Sequence, residues 1–198
     1  MSEVAGPVAA EIYVVDSPYE VANWRPLAHW VLYIPHAIIQ YGLRTLAGVA
    51  FLVYWVMLIF TGRLHRGLFG LMVLYERYSQ RTDSYLVGFS EVYPPFDFHM
   101  GSPDNDAYPP IKVNLPEPPE TASRWAALNF ILAIPHLVVL VFFMIAAFVV
   151  AIMGWFAVLF TGHWPQGPRD FLVRVTNYYL RVWTYVVMIE PNYPRFGI

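Results

Sequence analysis

Trp24 to Phe60 reads WRPLAHWVLYIPHAIIQYGLRTLAGVAFLVYWVMLIF, and Arg124 to Phe160 reads RWAALNFILAIPHLVVLVFFMIAAFVVAIMGWFAVLF. Both are long apolar blocks, and they are copies of one another. Ile34-Pro35-His36 recurs as Ile134-Pro135-His136, Trp55 as Trp155 and Phe60-Thr61-Gly62 as Phe160-Thr161-Gly162. The match continues through Gly67/Gly167, Tyr78/Tyr178, Arg81/Arg181, Tyr85/Tyr185, Val87/Val187 and a closing Tyr93-Pro94-x-Phe96, repeated as Tyr193-Pro194-x-Phe196. Aligned without a gap, 24–98 and 124–198 share 19 identities over 75 positions. A fixed period of this kind means two supersecondary units in tandem.

Composition assigns the class. Of 198 residues, 58% are hydrophobic and 13% charged, whereas soluble domains run near half apolar and a quarter charged. The apolar excess is concentrated in Leu27 to Phe60 and Trp125 to Phe160. About 20 helical residues cross a 30 Å hydrocarbon core, so each block is too long for one upright span and too short for two with a turn. A bend is expected at Pro35 and Pro135, with a short surface segment before it and a spanning helix after it, ended by glycine. The expected fold is an all-α integral membrane protein of two tandem helical hairpins, with about four membrane-embedded helices, some of them interfacial. It divides into a polar, poorly ordered tail (1–23), unit one (24–96), a Pro- and acid-rich linker (97–123) and unit two (124–198).

The second half of each unit is amphipathic. Arg174, Asn177, Arg181 and Thr184 share one helix face, as do Arg77, Arg81 and Ser84. Such a helix spans with its arginines turned inward, or lies flat at the headgroups. Neither Arg77 nor Arg81 has a carboxylate three or four residues away, so their partners are sought in lipid phosphate, water, the other unit or another protein. Arg63, Arg66 and Arg169 lie in the hairpin loops, while the tail and linker hold nine acids against Lys112. The positive-inside rule then puts the hairpin loops in the cytoplasm and the termini and linker outside.

Several chemistries are excluded. There is no cysteine, hence no disulfide or thiol nucleophile. One lysine and a net charge of −2 offer no field for nucleic acid. No phosphate loop, zinc-protease helix or serine elbow occurs, and no catalytic residue or metal site is assigned. His36 and His136 are the ligand candidates: symmetric repeats would face them across a haem iron or a metal, although anchoring at a helix start explains them as simply. His29, His65, His99 and His163 have no repeat partner. Arg44 is the one charge deep inside an apolar block, and such a charge needs a partner or water. Ala147-x-x-x-Ala151 permits close helix approach.

Taken together, Ile-Pro-His, the tryptophan, Phe-Thr-Gly, the Arg/Pro/Gly hairpin, the amphipathic helix with Arg-x-x-x-Tyr, and Tyr-Pro-x-Phe resemble the bacterial domain-of-unknown-function family 4389 over both units. The resemblance implies a bacterial cytoplasmic-membrane protein and brings no activity with it. Gln40 and Arg44 depart from its apolar norm. The functional expectation is a non-catalytic accessory or scaffold subunit of a larger membrane complex. It would bind membrane lipids and other integral membrane subunits through aromatic surfaces and through Arg44, Arg77, Arg81, Arg174 and Arg181. A small transporter or channel element, and a His-ligated redox protein, are the alternatives.

Overall fold

The computed structural model describes residues 11–198; the first ten residues of the expected tail lie outside that range. Helix α1 spans Arg25–Thr61 and α2 Arg66–Val87. After the linker come a 3-10 helix at Arg124–Leu128, the single turn α3 at Asn129–Leu132, then α4 at Ile134–Thr161 and α5 at Gln166–Val186. Ahead of the proline, where a bend is expected in both copies, the helix is interrupted in one copy only, at Ala133. Pro26 sits in the first turn of α1, which then runs through Pro35 without a break. In the second copy Pro135 takes the first-turn position of α4, where its missing N–H is not needed. Both apolar helices stop at glycine: Gly62 and Gly162 adopt φ of 69° and 66°, a conformation open to a residue without Cβ.

The all-α expectation is corrected by two short strands, β1 (Tyr13–Val15) and β2 (Ile111–Val113), which pair antiparallel with Tyr13 opposite Val113. Their β-branched residues suit a pleated, half-buried ribbon. Tyr13 and Val113 are one hundred residues apart, so the ribbon lies on the pseudo-two-fold axis relating the copies. The repeat therefore begins before Trp24. Pro18, Glu20 and Ala22 match Pro118, Glu120 and Ala122, and the two stretches do equivalent things. Val21 N–H donates to the Gly162 carbonyl, and Ala122 N–H to that of Gly62. Residues 11–23 are thus bound in place, against the reading of a poorly ordered tail.

These contacts set the direction of the two apolar helices. Trp55 Nε1 donates to the Ala127 carbonyl at 2.8 Å, and Trp155 Nε1 to that of Pro26 at 3.1 Å. Each first helix therefore ends beside the start of the other, and α1 and α4 run antiparallel. Hairpin tip one bridges the linker (Arg63 with Thr121) and tip two the tail (His163 with Glu20). This corrects the expected separation of hairpin loops from tail and linker: each tip is tied to one of them.

The ribbon straddles α2 and α5 and does not touch α1 or α4. α1 packs along α2, and α4 along α5. Each apolar helix buries one stripe, Ala47, Ala50, Tyr54 and Leu58 in α1 and Leu140, Gly154 and Val158 in α4. The rest faces outward: only 22% and 17% of their most apolar stretches is buried. A soluble core helix would be mostly covered. Ala147 and Ala151 lie against the buried core.

The copies fill one internal position by opposite choices of size. In unit one the pair is Tyr54 and Leu64, both buried; in unit two it is Gly154 and Trp164. A Cβ added to Gly154 would stand 1.9 Å from the Trp164 ring. That ring is fully buried, bonded to the Gly88 carbonyl at 2.8 Å and edge-on to Phe89. Gly154→Ala should lower stability by about 1–3 kcal/mol through overpacking. Adding Trp164→Leu, which imitates unit one, should restore part of it in thermal unfolding in detergent. No recovery in the double variant would show that the clash is not the cause.

Candidate functional site

The pieces that define the repeat converge in space. His36 Nδ1 lies 2.7 Å from the Tyr78 hydroxyl, and the imidazole is boxed by Tyr93 and Phe96 at centroid distances of 4.9 and 4.8 Å. The second copy repeats this: His136 Nδ1 to Tyr178 at 2.7 Å, with Tyr193 at 4.8 Å and Phe196 at 3.9 Å. Tyr93 and Tyr193 also donate to the carbonyls of Leu32 and Leu132, each at 3.3 Å. The Tyr-Pro-x-Phe segment thus folds back as a latch that ties the end of each unit to the start of its first helix. Each imidazole is fully buried among its own unit's rings, with Nε2 unpartnered. The geometry does not bring His36 and His136 to one ligand, which corrects the expectation that they face each other. Among the described residues no group of three or more His, Asp or Glu forms a metal site.

The arginine stripe of α2 meets the linker, a partner the sequence reading did not consider. Arg81 pairs with Asp97 and Asp104, both at 2.8 Å, and bonds Asn105 at 3.0 Å. Arg77 lies 3.8 Å from Asp104 and donates to the carbonyls of Gly101 (2.7 Å), Ser102 (2.5 Å) and Val113 (3.3 Å). The Asp104 oxygen that faces Arg77, Oδ2, accepts the Val113 N–H at 2.7 Å, while Oδ1 takes Arg81. Arg77, Arg81 and Asp104 are almost wholly buried. Such a network specifies one conformation, because removing either partner strands a buried charge. Burial works to raise the Asp97 carboxyl, but the bonds from Asn105 and Arg81, with the arginine's charge, outweigh it and hold Asp97 below the ordinary carboxylate range.

Unit two does the same work with other residues. Asn177, in place of Arg77, clasps the Tyr13 backbone: it accepts from Tyr13 N–H at 2.9 Å and donates to the carbonyl at 2.8 Å. Arg169, at the position of Phe69, donates to the carbonyls of Ser17 and Pro18 at 2.7 and 2.9 Å and lies over the Tyr19 ring. The sequence reading took Arg169 for loop charge only. Arg181 caps the C-terminal segment through the Gly197 carbonyl at 2.7 Å. Arg44 and Arg174 are exposed, with no ion pair among the described residues. Gln40, the other departure from the apolar pattern, bonds Asp83 at 2.8 Å beside Tyr33, which donates to the same carboxylate at 2.7 Å.

One buried acid escaped notice. Glu76 lies between the units, accepting from Gln80 at 2.8 Å and Tyr179 at 3.1 Å. Burial pushes its carboxyl from 4.5 up to about 7, with those two bonds pulling the other way. Its counterpart, Thr176, gives no repeat signal that would have marked it.

The architecture defines a class: a mostly helical, tandemly duplicated protein in which two helices are long and apolar enough to cross a membrane. Within that class, the chain belongs to the family described as Domain of unknown function (DUF4389), which matches twice, at residues 24–97 and 124–197. No curated protein and no solved structure matches the chain.

Two outcomes are expected. Asp104→Ala removes the buried carboxylate that Arg77 and Arg81 share, leaving Arg81 with Asp97 and Arg77 with backbone carbonyls alone; it should cost about 3–5 kcal/mol, read as lower thermal stability and faster proteolysis in the linker, and an unchanged digestion pattern would contradict the clamp. For Glu76 the raised folded pKa means the folded state binds its proton more tightly, so stability falls as pH rises from about 4.5 to about 7. Glu76→Gln should flatten that slope and raise the melting temperature above pH 7. A parallel, merely shifted pH profile would contradict this.

Proposed function

We propose that this protein is a non-catalytic accessory or scaffold subunit of a larger membrane complex, in the bacterial cytoplasmic membrane. The observation that carries the reading is two-sidedness. Helices α1 and α4 expose large apolar side chains along their length, among them Ile38, Val49, Leu52, Phe142, Phe148 and Met153. The rest of the molecule carries the ribbon, the linker and most of the acids. An exposed apolar surface of this extent marks a lipid or protein contact. The deepest polar groups that the sequence offered for chemistry, His36, His136, Arg77 and Arg81, have structural work: the histidines anchor latches and the arginines clamp the linker.

In this reading the exposed residues meet partners. Of the arginines expected to make contacts, Arg44 and Arg174 are free for lipid phosphate or an acidic neighbour, while Arg181 mainly holds the C-terminus. The protein-facing surface is the polar side, where the ribbon and linker form a fixed relief rather than a loose tether.

Native electrophoresis of gently solubilised source membranes, with mass spectrometry of the band, tests this. We expect the chain in an assembly containing other subunits, and we expect Arg44→Ala with Arg174→Ala to weaken co-migration while membrane association persists. A species made of this chain alone would overturn the scaffold reading.

A further inference from the structure

We propose that α1 and α4 lie in the plane of the bilayer, sunk into one leaflet, so that the described chain crosses no membrane and both hairpin tips face the same aqueous side. The inference rests on the membrane-protein reading above and specifies how that protein meets lipid.

The argument begins with what shares a level with α1. His36 contacts Tyr78 and Tyr33 contacts Asp83, so α2 runs beside the first half of α1. The linker is clamped to α2 through Arg77 and Arg81, level with those contacts. It exposes Asn105, Asp106 and Asn114, with irregular backbone around them. If α1 stood upright, this charged, non-helical cover would sit at hydrocarbon depth facing lipid, where unsatisfied backbone and charge are not tolerated. Turned into the plane, the same molecule puts every such group on the water side.

The chemistry of the apolar layer fits a leaflet. No acid occurs from Arg25 to Thr61 or from Arg124 to Thr161. The charges there are Arg25, paired with Glu91, and Arg44 and Arg124, both exposed. The unpaired charges of this apolar layer, Arg44 and Arg124, are therefore both cationic, which complements lipid phosphates. Exposed aromatics stand where an interface would have them: Trp24 and Trp30 at the start of α1, Trp125 before α4 and Tyr41 beside Arg44. Because α1 and α4 are antiparallel, the pseudo-two-fold axis becomes the membrane normal, and the equivalent tips at Arg63 and His163 lie at one level.

The native chain has no cysteine, so single-cysteine variants report cleanly. Arg63→Cys, His163→Cys and Asp106→Cys are placed in sealed vesicles of phosphatidylglycerol and phosphatidylethanolamine and treated with a membrane-impermeant maleimide. Within each vesicle population, all three should label from the same side, to the same extent. Ile38→Cys and Phe148→Cys, carrying an environment-sensitive fluorophore, should be quenched by lipids with a nitroxide high on the acyl chain and little by one at the bilayer centre. Labelling of Arg63→Cys and His163→Cys from opposite sides would overturn in-plane seating and leave the membrane-scaffold reading intact. Failure of the protein to float with vesicles, with Ile38→Cys shielded in a soluble oligomer, would overturn both.

Discussion

The reciprocal bonds from the Trp55 and Trp155 indoles to the chain at the entry to the other unit's apolar helix govern the architecture. With the matching bonds from Val21 to Gly162 and Ala122 to Gly62, they make the far end of each apolar helix part of the other unit. Neither unit closes alone. The exchange also makes α1 and α4 antiparallel, and from that follow the axis through the β1–β2 ribbon, the level of the hairpin tips and the single apolar layer. An indole suits the task because its one donor must find an acceptor when buried, while its rings supply area.

Around this frame, each copy solves the same mechanical problems with different residues. Arg77 and Asn177 both hold a strand backbone, the first with a long charged fork and the second with a short amide that donates and accepts. Tyr54 with Leu64 and Gly154 with Trp164 fill one position from opposite sides. The His–Tyr latch is held in common, because it joins the two ends of a unit and depends on no contact between units. The copies use different chemistry where they meet the tail and the linker: the linker brings Asp104 and Asp97 to α2, whereas the tail brings bare carbonyls to Arg169.

Residues marked by the sequence fall into two groups. Repeat-matched ones, His36, Tyr78, Tyr93 and Phe96, do form one cluster, since matching at a fixed period selects residues serving an internal geometry. Residues chosen for charge fared differently. The partners of Arg77 and Arg81 are sought in lipid, water, the other unit or another protein because helix spacing only reports neighbours three and four residues off, and Asp104 of the linker lies far outside that window. Glu76, a buried acid of α2, carries no such mark because its bond from Tyr179 comes from the other unit.

The sequence by itself determined the duplication, the two apolar helices, their glycine stops and the family, because periodicity, length and backbone restriction are local properties. Only the tertiary structure decided that α1 runs through its proline, that the tail and linker are equivalent parts of the repeat, and that the apolar helices are antiparallel. The last two depend on bonds between residues far apart in the chain, Tyr13 to Val113 and Trp55 to Ala127. No pattern within one unit records where its chain meets the other, so the direction in which two duplicated hairpins are joined is a property of their interface alone.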